Sequence, residues 1–361
     1  MVSICLRRSL GHTSRLCTQH FTKTTLAPQS FKLIPPTEFQ PQSLLVLATP
    51  TNLTRVIDQT IKLYEQEKIP VVVAGVDSIV NSNRNGISEL WLDEPIKINN
   101  YKILQDEPET LRESDGINVV SAKVNWKNIE SNFQINFGIN TLKINLSNTI
   151  FQTNKLVTLY FLNEFNDGSG RTLSDLSIDI PLETKILKSS DKWVKLTDKL
   201  VITDFKGNLL KSINNKSAAS FLEQNKQLLG ISSKETEVYC KIYSKSRDHP
   251  LKYEVIAGGG GWGAKANIIA LSPEAKVSKG DLIEFYMLTP KDKATKETIP
   301  FDELFNKFTL ESTYEELSYN DDTTSEQILP GVLGCGSEQG FSYNGIKYAS
   351  NGEVLTLQIE A

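Results

Sequence analysis

The sequence predicts an α/β (α+β) fold, with an N-terminal βαβ unit followed by a largely antiparallel, β-rich region. Two patterns carry this prediction. Continuous apolar runs at 43–48 and 70–76 flank an amphipathic segment, which is typical of two buried parallel strands joined by a helix. Further along, apolar and polar residues alternate with a period of two, which indicates half-buried antiparallel strands.

The βαβ unit is the better defined part. The first run, Ser43–Ala48, predicts a strand, and Thr51 or Asn52 can cap a helix over about 54–68 that Pro70 stops. The second strand, 70–76, then leads into Gly75-Val76-Asp77. Ligands of open α/β sheets collect at the carboxyl ends of the strands, so Asp77 lies at an edge where binding is expected.

The remainder is predicted to be mostly strands. A hairpin over 132–145 turns at Gly138, and a short helix is expected at 217–223, with another at 299–308 that Pro300 opens. The other predicted strands are 156–162, 237–243, 252–257, 267–271, 282–288 and 354–359.

The N-terminal segment resembles an organellar import signal. The first acidic residue is Glu38, and the residues before it are rich in Ser and Thr and include Arg7, Arg8 and Arg15. Such acid-poor, Arg-rich leaders are typical of mitochondrial transit peptides, and a disordered basic tail is the alternative. We therefore expect a location in the mitochondrial matrix. The predicted organisation is a leader (1–26), a Pro-rich linker (27–42), an N-terminal α/β domain (43–165) and a C-terminal β-rich α+β domain (166–361).

Composition excludes several classes of function. The chain has a formal net charge of −4, which falls to about −8 without the leader's four cations, and acidic surfaces repel phosphate backbones. No nucleic-acid partner is predicted, although a local basic patch stays possible. No apolar run is long enough for a transmembrane segment. Outside the leader, the remaining cysteines are Cys240 and Cys335 and the remaining histidine is His249, so neither a metal site nor a cofactor is predicted. We expect unpaired buried thiols, and a disulfide between Cys240 and Cys335 is the alternative.

The densest glycine run follows the strand 252–257. Gly258, Gly259, Gly260 and Gly261 precede Trp262, Gly263 and Lys265. The run formally satisfies G-x-G-x-x-G, but Pro273 leaves no room for the helix that a dinucleotide site needs. A P-loop needs Gly-Lys-Ser/Thr, which this run lacks. Two interpretations remain open. The loop is a cradle of bare amides for a ligand or anion, or it is a tight strand crossing that Trp262 plugs.

Two further segments supply candidate ligand contacts. A small-residue loop surrounds Cys335, and Glu338 follows it. A reactive thiol needs a nearby base, and nothing in the sequence brings His249 close, so a buried cysteine is the simpler expectation. Asp77 and Arg84 form the other candidate edge, where Arg84 could pair with a carboxylate. A surface arginine and a solvated Glu338 are the alternatives.

Two segments together resemble the FIST domain family. One runs from Ser43 through the predicted helix to Ser78, and the other is the glycine-tryptophan run with the following 268–274. The second is similar to a signature of uncharacterised fungal mitochondrial proteins, some of them FIST-like. The usual Gly-Cys-Ser/Thr of the family is replaced by Gly75-Val76-Asp77. The resemblance implies a sensory or ligand-binding module with amino-acid-like ligands, and no known catalytic residues.

Three hypotheses follow. The first is a mitochondrial, non-catalytic, FIST-like module that binds a small ligand or a protein partner. The second is an assembly or structural factor of a mitochondrial matrix complex. The third is an enzyme acting on a small carboxylate substrate, with a site built from Asp77, Arg84, Lys265 and Cys335. The shortage of nucleophile and base pairs favours a protein without catalytic activity.

Overall fold

The predicted βαβ unit lies inside a larger mixed sheet. The computed structural model describes residues 18–104, 131–164, 168–229, 236–247, 249–258, 267–289, 291–292, 298–313 and 325–360. Within them, the first elements are β1 (His20–Leu26), β2 (Ser43–Ala48), α1 (Pro50–Glu67), β3 (Val71–Gly75), β4 (Gly86–Leu92) and β5 (Lys97–Ile103). Strands β2 and β3 are parallel, and every residue of both is buried. This explains why both read as unbroken apolar runs.

Helix α1 packs one apolar side on this sheet. Leu53, Val56 and Leu63 are buried and join the core cluster of β2 and β3. Pro50 lies in the first turn, where its missing N–H costs nothing. The helix ends because Lys68 adopts a left-handed conformation and donates its N–H to the Tyr64 carbonyl. The predicted helix is confirmed, with its start four residues earlier than expected.

The chain divides into two compact units. The first, unit 1, extends to Ser190 and also contains Thr298–Gly345 and the residues from Glu353 onward; the second, unit 2, contains Asp191–Glu297 and Ile346–Gly352. The remaining elements of unit 1 are β6 (Asn132–Phe137), β7 (Asn140–Asn145), α2 (Ile150–Thr153), β8 (Leu159–Leu162), β9 (Leu173–Ile180), β10 (Glu183–Ser190), β19 (Lys307–Ser312), β20 (Gln327–Pro330), β21 (Val332–Ser337), β22 (Phe341–Tyr343) and β24 (Val354–Glu360).

Unit 1 contains three sheets. Their strand orders are β20-β1-β4-β2-β3-β8, β10-β24-β19-β21 and β22-β7-β6-β9-β5. The predicted 132–145 hairpin is β6 and β7, with Gly138 at a positive φ in its turn. Most pairings are antiparallel, and β2–β3, β6–β9 and β19–β21 are parallel. The fold class is therefore the β-rich α+β fold that the sequence predicts.

Unit 2 is a closed antiparallel sheet with a small core. Its elements are β11 (Val194–Lys195), β12 (Leu200–Lys206), β13 (Leu209–Ile213), β14 (Lys216–Ser217), α3 (Ser220–Glu223), α4 (Lys226–Leu229), β15 (Glu237–Tyr243), β16 (Leu251–Gly258), β17 (Ile269–Leu271), β18 (Leu282–Leu288) and β23 (Ile346–Tyr348). The pairings run β12-β13-β17-β16-β15-β18 and return to β12. Cys240, Ile283 and Phe285 are among the side chains that fill the interior.

The predicted leader and linker need correction. The leader prediction (1–26) overlaps β1, which pairs with both β4 and β20 inside the sheet. Lys23 forms an ion pair with the buried Glu89 carboxylate at 2.9 Å, so this cation belongs to the fold. The predicted linker (27–42) is also packed, because Phe31 and Leu33 are buried in the β2–β3 core.

The predicted domains and one predicted helix also differ from the structure. The sequence predicts a domain boundary between residues 165 and 166. In the structure the chain instead passes from unit 1 to unit 2 after Ser190 and returns to unit 1 after Glu297. Strands from the end of the chain return to unit 1, since β24 pairs with β10 and β20 pairs with β1. The helix expected at 299–308 is a 3-10 turn over Phe301–Leu304 followed by β19. Across the described residues, none of the helices has the length and hydropathy needed to cross a bilayer.

Candidate functional site

The segment that follows β3 crosses the end of β21 at close range. Ser78 and Gly336 form an antiparallel bridge. The N–H groups of Asp77 and Ser78 both donate to the Gly336 carbonyl, and the Gly336 N–H donates to the Ser78 carbonyl at 2.8 Å. These bonds join the carboxyl ends of β3 and β21, which lie more than 250 residues apart in the sequence.

Two glycines of β21 make this crossing possible. A Cβ atom at Gly336 would lie 1.9 Å from the Ser78 Oγ, and one at Gly334 would lie 2.8 Å from the backbone nitrogen of Val80. No side chain fits at such separations, so the close approach of two backbones requires glycine at both positions. This accounts for the Gly334-Cys335-Gly336 pattern.

A carboxylate holds the strained turn that follows. Asn81 and Ser82 both have positive φ angles, 55° and 56°, which cost non-glycine residues on the order of 1–3 kcal/mol each. The buried Glu311 carboxylate of β19 accepts both of their backbone N–H groups, at 2.7 and 2.6 Å, and the Ser82 hydroxyl. Consecutive N–H groups around an anion form a nest, which stabilises this unusual turn.

Three of the predicted site residues meet at this crossing. An Asp77 carboxylate oxygen accepts the backbone N–H of Glu338 at 2.9 Å. The Arg84 guanidinium donates to the Glu338 carboxylate, and both side chains are about 30% exposed. We call Asp77, Arg84, Ser337 and Glu338 the Asp77 site.

The Asp77 carboxyl is the most perturbed group of the site. Burial raises its pKa to about 6, and the nearby Glu338 charge adds to this effect. The Glu338 N–H, Arg84 and the Ser337 hydroxyl act in the opposite direction and lower the pKa. An acid with its pKa near neutrality, at the end of a buried strand, is the kind of group that binding and catalytic sites contain.

Several hydroxyl groups around the crossing are buried and have no hydrogen-bond partner among the described residues. The Ser78 Oγ, which lies over Gly336, is one of them, whereas the Ser337 hydroxyl interacts with the Asp77 carboxylate. Ser312 and Thr313, at the end of β19, have buried hydroxyls of the same kind. Buried polar atoms nearly always find a partner, and each exception costs about 1–3 kcal/mol. Such a concentration indicates a place where water or a ligand supplies the missing bonds.

Cys335 lies beside this site but is closed to solvent. Its thiol is free, buried and 2% exposed. Burial raises its pKa, and the Asp77 and Glu311 charges raise it further. The thiol is therefore protonated at neutral pH and is a poor nucleophile. Cys240 is likewise free and buried, as the sequence predicts.

The glycine-tryptophan run contributes little to this geometry. Gly258 is the last residue of β16, where it pairs with Ile269 in unit 2. Gly259, Gly260, Gly261, Trp262, Gly263 and Lys265 lie outside the described residues. Their predicted role as ligand contacts stays a prediction.

Sequence reasoning missed Ser337 and Glu311. Serine next to a glycine-rich strand carries no signal of its own, and one buried glutamate among 43 acidic residues cannot be recognised. The spacing of Gly334 and Gly336 was a usable signal, because alternate glycines on one face of a strand indicate close backbone approach. No group of three or more His, Cys, Asp or Glu side chains in the described part of the chain is arranged to hold a metal ion.

Comparisons with protein-family models, with curated proteins and with solved structures gave no match to this chain.

Proposed function

We propose that this chain is a mitochondrial, non-catalytic module of FIST-like type that binds a small ligand at the Asp77 site. One observation carries the proposal. Residues from two distant segments, 77–84 and 335–338, converge where two strands end, around an acid with a raised pKa, and the adjacent buried Ser78 hydroxyl has no hydrogen-bond partner among the described residues. The import-like leader and the resemblance to FIST domains support the location and the family.

Native mass spectrometry of the full chain, purified from its own cells, tests this function. We expect a small-molecule mass to remain bound to the wild-type protein and to be lost from Asp77→Asn. Asparagine keeps the oxygen that accepts the Glu338 N–H, so the fold should survive. Asp302→Asn, which changes an exposed acid in the 301–304 turn, should retain the mass. A bare wild-type protein would contradict the proposal.

A second candidate is an assembly factor of a mitochondrial complex. It is favoured by a small apolar surface at α2, where Phe151 is 94% exposed and Ile150 and Leu156 are each 39% exposed. Contiguous apolar patches on a protein surface mark contact sites for other proteins. Phe151→Ser should then release co-purifying subunits, whereas Ile139→Ser, at a 99% exposed turn position, should not. Release by neither variant would count against this candidate.

A further inference from the structure

The local basic patch that the sequence leaves possible lies along β12 of unit 2. Unit 2 contains 19 Lys and Arg against 13 Asp and Glu, although the whole chain has a net charge of −4. Five exposed lysines lie on or beside this strand. We call them the β12 stripe: Lys199, Lys206, Lys211, Lys216 and Lys279.

Three of these lysines follow the line of the sheet. Lys199 directly precedes β12 and Lys206 ends it, so that the two positions lie about 20 Å apart along an extended strand. Lys211 lies on β13, which pairs with β12 on one side. The stripe therefore has the length of a strand and is not a single point of charge.

Backbone hydrogen bonds bring the other two lysines to the same strand. The Asn214 N–H donates to the Val201 carbonyl at 2.8 Å, which places the turn that leads to Lys216 beside β12. On the opposite side, the residue after Lys279 donates its N–H to the Ile202 carbonyl at 2.9 Å. Four separate segments of unit 2 thus contribute cations to one strip of surface.

The positive charge of the stripe is largely unpaired. Lys211 lies 3.9 Å from the Asp204 carboxylate, and within the described residues the other four lysines form no ion pair. Asp281 is the second acid close to β12, and the neighbouring Asp198 is already paired with Lys195 at 3.0 Å. Five positive charges against two negative charges leave about +3. More distant acids matter less, because salt screens exposed charges beyond about 8 Å at physiological ionic strength.

The surroundings of the stripe favour a nucleic acid over a protein or a membrane. Protein interfaces are depleted of lysine, and membrane-binding helices bury an apolar face. In β12 the exposed large apolar side chain is Val201, which is 40% exposed. Its neighbours are polar, since the Thr203 hydroxyl bonds the Ser212 hydroxyl and accepts the Asn215 N–H. Nucleic-acid interfaces are polar and strongly positive in this way.

A single strand suits this surface better than a duplex. Helices α3 and α4 have four residues each, which is too short for a helix that reads a major groove. Two half-buried aromatic rings flank the stripe: Phe205 in β12, and Tyr243, over which the Lys199 Nζ lies 4.0 Å from the ring centre. Unpaired bases stack on such rings. Lysine binds phosphate as a point charge and does not have the planar fork with which arginine reads a base.

We propose that the β12 stripe binds the phosphate backbone of a single-stranded nucleic acid, without preference for base sequence. This inference goes beyond the proposed function and does not depend on the Asp77 site. The lysine ammonium groups contact phosphates along the strand, and the two aromatic rings offer stacking surfaces to the bases.

Fluorescence anisotropy of the full chain tests this proposal. The probes are labelled oligo(dT) and oligo(U) of about 16 nucleotides, titrated at pH 7 between about 50 and 200 mM KCl. We expect both to bind, with an affinity that falls roughly fiftyfold over this range, because about four phosphate contacts to a single strand give a slope of about −2.8 in the plot of log affinity against log salt.

Two double variants locate the binding surface. Lys206→Gln/Lys216→Gln should weaken binding at least fivefold at the lower salt concentration and make the slope shallower by about 1.4, which is about 0.7 for each lost contact. Lys97→Gln/Lys185→Gln makes the same change in net charge at exposed positions of unit 1 and should leave both quantities unchanged. Asp77→Asn should also bind normally, which separates this activity from the small-ligand function.

Four results would overturn the inference. The absence of binding at low salt, binding that is independent of salt, or equal losses in the two double variants would each exclude the β12 stripe as a phosphate-binding surface. Equal or tighter binding of a duplex of the same length would exclude the preference for a single strand. Tighter binding to vesicles that contain anionic phospholipid would assign the stripe to a membrane surface instead.

Discussion

At the scale of single residues, the buried position of the Asp77 carboxyl lowers the stability of the folded chain at neutral pH. Its carboxyl is held in a largely buried place with one backbone hydrogen bond, and its pKa rises to about 6 from 3.8. The folded chain therefore binds more protons than the unfolded chain between these two values. By linkage, the Asp77 contribution to stability falls as pH rises through this window and is at its lowest above about pH 7.

Asp77→Asn should remove this pH-dependent loss. We expect the free energy of unfolding of the variant to change little relative to wild type at pH 4 and to gain roughly 2–3 kcal/mol relative to it at pH 7. Urea unfolding of both proteins at several pH values measures the difference. Asp302→Asn serves as the control, and its free energy of unfolding relative to wild type should not change with pH. A flat difference for Asp77→Asn would show that burial does not perturb this carboxyl.

Glycine is required at position 336 by the close contact with Ser78 and not by a turn conformation. Its φ is not in the left-handed region, so a side chain is excluded by contact alone. Gly336→Ala should cost about 2–3 kcal/mol of stability, because the new methyl would overlap the Ser78 Oγ and press on the Thr313 Cγ2, 2.8 Å away.

A second substitution tests whether contact with the Ser78 hydroxyl causes this loss of stability. Removing the obstructing hydroxyl in Gly336→Ala/Ser78→Gly should recover part of the loss, as measured by a double-mutant cycle in urea. Strictly additive effects would mean that the two residues do not press on each other.

At the scale of elements, β1 makes residues 20–26 part of the fold. The strand lies between β4 and β20, and the Thr24 hydroxyl bonds both the Ser88 hydroxyl and the Val332 carbonyl in the interior. A leader cut within His20–Leu26 would remove part of a paired strand of unit 1.

Truncation tests this role of β1. We expect a chain lacking residues 1–26 to lose cooperative thermal unfolding, measured by circular dichroism, because β4 and β20 lose their shared neighbour. A chain lacking residues 1–17 keeps every residue of the described sheet and should unfold like the full chain. The mature N-terminus, determined by mass spectrometry, should lie at or before Thr18. Equal stability of the two truncated chains would exclude a structural role for β1.

At the scale of the whole molecule, charge is distributed unevenly. Unit 2 contains 19 Lys and Arg against 13 Asp and Glu, a net charge of +6, whereas the chain as a whole has −4. The average over the sequence therefore hides a basic unit and an acidic one.

This asymmetry should make the acidic chain bind a cation exchanger. At pH 7 and low salt we expect retention, with elution at lower salt for Lys245→Glu/Arg247→Glu, which reverses two exposed charges in the β15–β16 turn. Lys97→Glu/Lys185→Glu makes the same change in net charge in unit 1 and should elute close to wild type. Equal shifts for both variants would mean that net charge alone governs retention.

Local patterns were sufficient for the elements with strong periodicity. The runs that became β2 and β3, the helix between them and the 132–145 hairpin follow from apolar spacing and turn residues. The helix expected at 299–308 failed because Pro300 and the apolar spacing after it suit a helix, while pairing with β21 and β24 requires a strand at Lys307–Ser312. Tertiary pairing overrides local propensity there.

The sequence by itself determined the α+β class, the βαβ unit and the free buried thiols, and it singled out Asp77, Arg84 and Glu338 as candidate site residues. Only the tertiary structure decided that these three residues meet, that β1 belongs to the fold, and that charge divides between the two units. The physical reason is sequence separation. Helical and strand periodicity depends on neighbouring residues, whereas the crossing of Ser78 with Gly336 depends on two backbones that approach only after the sheets have formed.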